Sequence, residues 1–131
     1  MQQPDFSVDG KRVLITGASQ GIGQSIAETF AAAGADVAIC SRSMDRVGPV
    51  ADDINDADVP GEAVAFECDV RDRDDVEAFF ENAADELGGL DVVINNAGGE
   101  FVANFEDISE NGWDSVTDLN LGGTYRCCNV A

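Results

Sequence analysis

The sequence predicts an α/β fold in which a doubly wound parallel sheet is covered by helices on both faces. Short apolar segments alternate with longer segments of helical periodicity, the pattern that βαβ units produce. Residues 36–40 are apolar at nearly every position, and continuous apolar character suits a parallel strand buried on both faces. A cluster of glycines between the first apolar segment and the first helical segment marks a tight strand-to-helix turn.

Strands and helices alternate in four pairs along the chain. Strands are predicted at 11–16, 36–40, 63–67 and 90–94, and helices at 21–33, 44–57, 73–87 and from 111 onward. Gly34 is expected to be the C-cap of the first helix, and Ser109 the N-cap of the last.

The glycine cluster lies between a predicted strand and a predicted helix, which is the order found in an anion-binding turn, although its spacing is wider than the standard G-x-G-x-x-G. An apolar strand leads to Gly17, whose lack of a Cβ permits the turn. Gly21 lets the backbone approach a pyrophosphate, and Gly23 lets the new helix lie close to the strand. The positive end of the helix dipole then faces the anion. We therefore predict a dinucleotide-binding loop, with a purely structural strand–turn–helix as the alternative. The other predicted contacts in this loop are Ser19, Gln20 and Ile22.

Ser41 and Arg42 follow the second predicted strand, at the edge of the sheet where open α/β folds bind ligands. An acidic side chain here would accept a hydrogen bond from a ribose 2′-hydroxyl and repel a 2′-phosphate, and none is present. Ser41 offers a hydroxyl, and Arg42 offers a planar guanidinium that suits a phosphate. The alternative is a surface arginine that pairs with one of the many acidic side chains nearby.

Two motifs resemble those of the short-chain dehydrogenase/reductase family. With Thr16 in front, the first glycines read Thr-Gly-x-x-x-Gly-Ile-Gly, and Asn95-Asn96-Ala97-Gly98 follows the fourth predicted strand. The resemblance implies a Rossmann-like sheet of strand order 3-2-1-4. It also implies that Asn96, Ala97 and Gly98 approach the nicotinamide-side ribose. An arginine at position 42 implies NADP as the cofactor, with NAD less expected.

The same resemblance assigns roles to three further residues. Asp69 would accept a hydrogen bond from the adenine amino group, and Val70 would pack against the adenine ring. Asn120, within the segment 118–123, corresponds to the catalytic asparagine that supports proton transfer. A polar residue inside a helix is otherwise more often structural.

The proton-donating motif of the family, Tyr-x-x-x-Lys, has no match. Tyr125 is the only tyrosine and is followed by Asn129 four residues later, whereas the only lysine, Lys11, precedes the first strand. The resemblance thus covers 11–131 but only the first half of a family member, so 1–131 is expected to be an incomplete NAD(P)-binding domain. An end inside a predicted helix favours a cut-short chain.

Two functions remain open at this point. The first is an NADP-dependent oxidoreductase that transfers hydride to a carbonyl, or to a 3-oxoacyl or enoyl thioester, represented here by its cofactor-binding half. Residues 95–101 also resemble family members that reduce enoyl- or dienoyl-CoA. The alternative is a nucleotide-binding or assembly module without turnover, and a weaker third possibility is a non-functional remnant.

The charge of the chain limits its partners. The 26 acidic residues against 7 basic ones give a net charge of −19, which repels nucleic acid and anionic membranes. Abundant acid with a single lysine resembles halophilic archaeal proteins, whose surroundings screen such repulsion. The chain has no histidine, and its four cysteines lack the spacing of metal or redox sites, so we expect reduced thiols, no metal and a cytoplasmic protein.

The fourth strand would lie at an unpaired sheet edge, and the last helix would lack part of its support. We therefore expect self-association through the last helix or through this edge.

Overall fold

Four parallel strands form one sheet in the order β3-β2-β1-β4, as predicted. The computed structural model describes residues 5–98 and 104–131. The strands are β1 (Arg12–Thr16), β2 (Asp36–Ser41), β3 (Ala63–Glu67) and β4 (Val92–Ile94). In the register of the sheet, Ile15 lies between Ile39 of β2 and Ile94 of β4.

Helices connect the strands and extend beyond the last one. They are α1 (Gly21–Ala32), α2 (Met44–Asp56), α3 (Arg73–Leu87), α4 (Glu110–Thr117) and α5 (Gly123–Val130). A short 3₁₀ turn at Phe105–Asp107 precedes α4, and a π-helical segment at Asp118–Gly122 joins α4 to α5.

Side-chain caps explain where two of the helices begin. The Asp72 carboxylate accepts from the backbone N–H of Asp74 at 2.9 Å at the start of α3. The Ser109 hydroxyl accepts from Gly112 N at 3.0 Å at the start of α4, so the predicted N-cap is confirmed. Each cap satisfies a backbone donor that has no partner inside its helix.

Three of the predictions about these elements were wrong. The C-cap of α1 is Ala33, and Gly34 follows it with φ of +97°, the left-handed backbone that glycine adopts without strain. Strand β4 begins at Val92 rather than at residue 90. Just before it, the Asp91 backbone N–H donates to the Arg12 carbonyl at 2.8 Å, and the Asp91 carboxylate accepts from the Arg12 backbone N–H at 2.9 Å. The single helix predicted from 111 is interrupted by the π-helical segment.

Both faces of the sheet are buried, as the continuous apolar strands predicted. On β1, Val13 and Ile15 point to the face covered by α1 and α2, whereas Leu14 points to the face covered by α3 and α5. All three are fully buried. Only four strands supply this core within the described ranges, and β4 is half-buried at the edge.

Among the helices that the structure describes, none is both long and apolar enough to cross a membrane. The described side chains likewise contain no group of three or more potential ligands placed to hold a metal ion.

Candidate cofactor-binding cleft

The carboxyl ends of the strands and the loops that follow them surround an open cleft of about 600 Å³. Twelve of the thirteen residues that the sequence assigned to cofactor binding line this cleft. These residues are Gly17, Ser19, Gln20, Gly21, Ile22, Ser41, Arg42, Asp69, Val70, Asn96, Ala97 and Gly98. Four separate stretches of the chain therefore meet at one edge of the sheet, where open α/β folds bind ligands.

Two glycines of the first loop have left-handed backbone conformations. Gly17 has φ of +68°, and a Cβ on it would stand 2.8 Å from Ala97 Cα. Gly21 has φ of +59°, and a Cβ there would meet no described atom within 4 Å. The first glycine thus permits close contact between two loops, and the second keeps the turn open toward the cleft.

Gly23 is the one predicted binding residue that does not line the cleft. A Cβ on Gly23 would collide with the carbonyl oxygen of Gly17 and stand 2.5 Å from Asn96 Nδ2. Because glycine has no Cβ, α1 can start directly against the loop, which is the packing role that the sequence predicted for Gly23.

One threonine fastens the glycine loop to the loop after β4. The Thr16 hydroxyl is buried and accepts from the backbone N–H groups of Asn96 at 3.1 Å and Ala97 at 3.0 Å. Asn96 Nδ2 donates to the carbonyl of Gly17 at 2.9 Å. These bonds hold Asn96, Ala97 and Gly98 beside the glycine loop, so both motifs face the same cleft.

Two arginines lie at the β2 end of the cleft. Arg42 follows β2, and Arg46 lies in the first turn of α2, where the sequence analysis missed it. The Ser41 hydroxyl donates to the Ser43 carbonyl at 2.7 Å and accepts from Ser43 N at 3.1 Å, so it shapes the turn that carries Arg42.

Arg42 and Arg46 differ in their pairing from three of the other four arginines, and the fourth, Arg73, bonds to Asn129 outside the cleft. Arg12, Arg71 and Arg126 form ion pairs with Asp91, Asp69 and Asp118. Within the described ranges, neither Arg42 nor Arg46 forms an ion pair, although the chain carries 26 acidic residues. The cleft therefore holds exposed positive charge on an otherwise acidic protein, as an anionic ligand requires.

Asp69 lies at the end of β3 and faces the cleft, but its carboxylate already has a partner. Arg71 binds it with two parallel bonds, from Nε to Oδ1 at 3.0 Å and from Nη2 to Oδ2 at 2.8 Å. Hydrogen bonding by Arg71 holds the pKa of Asp69 below its usual range. Val70 beside it is buried and contacts the backbone of Gly123 in α5.

Asn120 lies in the π-helical segment at the margin of the cleft, and Leu119 rather than Asn120 lines the cleft wall. Asn120 Nδ2 donates to the backbone carbonyl of Val116 at 2.9 Å. The backbone carbonyl of Asn120 accepts from the Thr124 hydroxyl at 3.0 Å. The side-chain oxygen lies so close to Gly98 that a Cβ there would collide with it. π-Helical turns inside α-helices are frequent at functional sites.

Cys40 and Cys68 are buried, as expected for most of the cysteines, but their place in the cleft wall was not predicted. Interaction with the Cys40 thiol and burial raise the pKa of Cys68 far above its usual value. Burial raises the pKa of nearby Cys127 to about 11. Cys68 and Cys127 therefore remain neutral thiols near pH 7, and neither is a thiolate nucleophile.

Tyr125 is not part of the cleft. It is exposed on α5, where the Arg73 guanidinium lies 5.9 Å from the centre of its ring. Lys11 immediately precedes β1, at the opposite end of the sheet from the cleft. The single tyrosine and the single lysine of the chain therefore lie far apart, and neither lines the cleft.

Comparison with known proteins places this cleft in a family. Residues 11–131 match the family model of short chain dehydrogenases. The chain is 36% identical to D-threitol dehydrogenase of Mycolicibacterium smegmatis over 96% of its length and 48% of that enzyme's. It is 34% identical to peroxisomal 2,4-dienoyl-CoA reductase of Arabidopsis thaliana, with 98% of the chain covering 42% of that enzyme.

A solved structure gives the same result. The chain superposes with a TM-score of 0.87 and 32% identity on a short chain dehydrogenase from Burkholderia cenocepacia in complex with NADP. The match covers 95% of this chain and 51% of the other, so the chain spans about half the length of its relatives. With the sheet order, the glycine loop and the family match in agreement, this chain belongs to the short-chain dehydrogenase family.

Proposed function

We propose that this chain is the cofactor-binding half of an NADP-dependent oxidoreductase. The observation that carries the proposal is the pair of arginines at the end of β2, which have no ion-pair partner in the described part of the chain. A carboxylate at this position would repel a 2′-phosphate, and none follows β2 before the helix begins. Arg42 and Arg46 would hold the phosphate that distinguishes NADP from NAD.

The remaining cleft residues fit the other parts of the cofactor. The pyrophosphate would lie at the open Gly21 turn and the N-terminus of α1, where backbone N–H groups and the helix dipole favour an anion. Adenine would lie near Asp69 and Val70. The nicotinamide-side ribose would lie near Asn96 and Gly98, and the bound nicotinamide supplies the hydride.

The substrate class follows from the relatives only in outline. One relative is named as a dehydrogenase of a small polyol and another as a reductase of a dienoyl thioester. We propose a carbonyl compound or a 3-oxoacyl or enoyl thioester as the oxidised substrate. The similarity of residues 95–101 to thioester reductases remains a prediction, since residues 99–101 lie outside the described residues.

Titration of this 131-residue chain with NADPH and NADH, in concentrated KCl and followed by nucleotide fluorescence, tests the cofactor. We expect NADPH to bind more tightly. A charge-assisted bond to phosphate is worth about 1.5–3 kcal/mol, so Arg42→Ala should weaken NADPH binding about tenfold to a hundredfold and leave NADH binding nearly unchanged. Arg46→Ala should act in the same direction.

Arg73→Ala is the matched control, because Arg73 is a half-buried arginine that contacts Asn129 and Tyr125 on the α5 side of the protein, outside the cleft lining. Equal losses of NADPH and NADH affinity in Arg42→Ala would refute the assignment to the 2′-phosphate. A folded chain that binds neither nucleotide would refute the cofactor site as a whole.

A nucleotide-binding module without turnover is the second candidate function. It is favoured by the missing Tyr-x-x-x-Lys pair, since these 131 residues then contain no counterpart of the group that transfers the proton in the family. Asn120 would support proton transfer only in the first case. Oxidation of NADPH with a panel of ketones and enoyl thioesters separates the two, because the module would bind NADPH and leave every compound unreduced.

We further propose that the chain self-associates. Strand β4 is half-buried at the sheet edge, and Trp113, Leu121 and Tyr125 are exposed on α4, the π-helical segment and α5. Exposed apolar surface and an open strand edge both favour pairing with another copy. Sedimentation in concentrated salt should give a species larger than 13.7 kDa, and a stable monomer would contradict the proposal.

The acidic surface and the thiols support a proposal about surroundings. A net charge of −19 favours a salt-rich environment, in which counterions screen the repulsion between carboxylates. The four cysteines are free thiols, as a reducing cytoplasm would leave them. Unfolding midpoints that rise steeply with KCl concentration would support this, and midpoints independent of salt would contradict it.

A further inference from the structure

The Asp69 carboxylate, which faces the cleft, is held by three hydrogen bonds from Arg71. Its Oδ1 accepts from both the backbone N–H and the Nε of Arg71, each at 3.0 Å. Its Oδ2 accepts from Arg71 Nη2 at 2.8 Å. Three bonds from one residue fix both the position of the carboxylate and the plane in which it lies.

The direction of the remaining acceptor follows from this geometry. A carboxylate offers about four lone-pair sites, two on each oxygen. Among the bonds formed by the described residues, two lie on Oδ1 and one on Oδ2, so the remaining site is on Oδ2. Asp69 lines the cleft, and hydrogen bonding by Arg71 keeps its pKa low, so the carboxylate presents an acceptor and no donor.

We propose that Arg71 is a positioning residue that makes the cleft select a purine with an exocyclic amino group over a 6-oxo purine. The fork of Arg71 aims Oδ2 of Asp69 at the amino group of adenine. A 6-oxo purine presents a carbonyl oxygen at the same point, and two acceptors facing each other repel. This inference rests on the proposed binding of NADP in the cleft.

The test compares NADPH with its hypoxanthine analogue, in which a carbonyl replaces the adenine amino group. The measured quantity is the ratio of the two dissociation constants for each variant, by nucleotide fluorescence in concentrated KCl. The original chain should prefer NADPH by about tenfold, the value of one hydrogen bond to a charged group. Arg71→Leu should bring the ratio to within about twofold of unity, because Asp69 then loses its fixed orientation.

Two more variants keep the test decisive. Arg71→Lys retains the charge but not the two-point fork, so its ratio should lie between those of the original chain and Arg71→Leu. Asp69→Asn places an amide donor in the cleft, and its preference should shift toward the hypoxanthine analogue. If Arg71→Leu does not fold by circular dichroism, Arg71→Lys decides the question.

The chain contains a matched control for the loss of an arginine–aspartate pair. Arg12 binds Asp91 through Nε at 3.1 Å and Nη2 at 3.2 Å, at the end of the sheet opposite the cleft. The exposed fractions of the two arginine side chains are nearly equal, 36% for Arg12 and 37% for Arg71. Arg12→Leu should therefore leave the ratio unchanged.

The outcomes separate the inference from the function on which it rests. No binding of NADPH by the folded original chain would overturn both. Binding of NADPH with a ratio near unity would overturn the selection by Asp69 and leave the cofactor site intact. Two results in folded Arg71→Leu would overturn the positioning role. An unchanged ratio would mean that Arg71 has no effect on the selection, and tighter NADPH binding would mean that Arg71 competes with the base for Asp69.

Discussion

Replacement of Thr16 by valine tests whether one hydroxyl holds the two halves of the cleft together. Thr16 is 1% exposed, and its hydroxyl accepts from the backbone N–H groups of Asn96 and Ala97. Valine has nearly the same shape but no acceptor. The variant therefore leaves two partly buried donors without their partner and changes little else.

The size of the effect follows from the two lost bonds. Each hydrogen bond contributes about 1 kcal/mol net, and a donor left unpaired in a buried place costs about 1–3 kcal/mol. Asn96 and Ala97 are half-buried, so water can reach them in part, and the lower end of that range applies. We expect Thr16→Val to lower the free energy of unfolding by about 2–3 kcal/mol. NADPH binding should weaken as well, because Asn96 to Gly98 would no longer be held beside the glycine loop.

Urea unfolding followed by circular dichroism, at one protein concentration and fixed salt, measures this change. Thr16→Ser keeps the oxygen and removes one methyl group, so it should cost about 1 kcal/mol. Thr29→Val, at an exposed position of α1, should change stability by less than about 0.5 kcal/mol. The reasoning is refuted if Thr16→Val costs no more than Thr29→Val, or if Thr16→Ser costs as much as Thr16→Val.

Two further predictions concern backbone and charge. Gly17→Ala should lower the free energy of unfolding by about 1–3 kcal/mol more than Gly10→Ala does. Both glycines have positive φ, but only at Gly17 would a Cβ press on Ala97. Equal urea midpoints for the two variants would contradict this. Hydrogen bonding by Arg12 lowers the pKa of Asp91 in the folded chain. The pair therefore stabilises the fold at pH values above the ordinary aspartate pKa of about 3.9, and this stabilisation is lost as the pH falls through the lower pKa of the folded state. Stability measured against pH should fall less steeply in that window for Arg12→Leu, and an unchanged slope would show that the pair has no such effect.

The sheet and most of the cleft could be predicted from sequence because their signals are local. An apolar run, a glycine turn and a helical period lie within about 20 residues of one another, and each limits the backbone directly. The role of Gly23 in packing was predicted for the same reason, although its place behind the cleft was not. Arg46 had a usable signal, since it lies four residues after Arg42, in the first turn of the helix that follows, and both line the cleft.

The features that sequence reasoning missed depend on contacts between distant residues. Strand β4 starts two residues later than predicted, directly after Asp91, whose side chain bonds to Arg12, 79 residues away in the chain. The π-helical segment lies where two glycines allow close contact: Gly123 packs on Val70, and a Cβ on Gly122 would stand 2.6 Å from the Asp118 carboxylate that pairs with Arg126. The spacing of apolar residues along the sequence carries no information about such contacts, so the sequence predicted a continuous helix.

The pairing of β1 with β4 also determines the order in which the molecule can form. Residues 16 and 96 are 80 positions apart, so closing the loop between them costs about 4 kcal/mol of chain entropy before any contact offsets it. Pairing of β1 with β2 closes a much shorter loop and can come first. We therefore expect the cleft to be completed late in folding. A nucleotide that bridges the two loops should act on the rate of unfolding and leave the rate of folding almost unchanged.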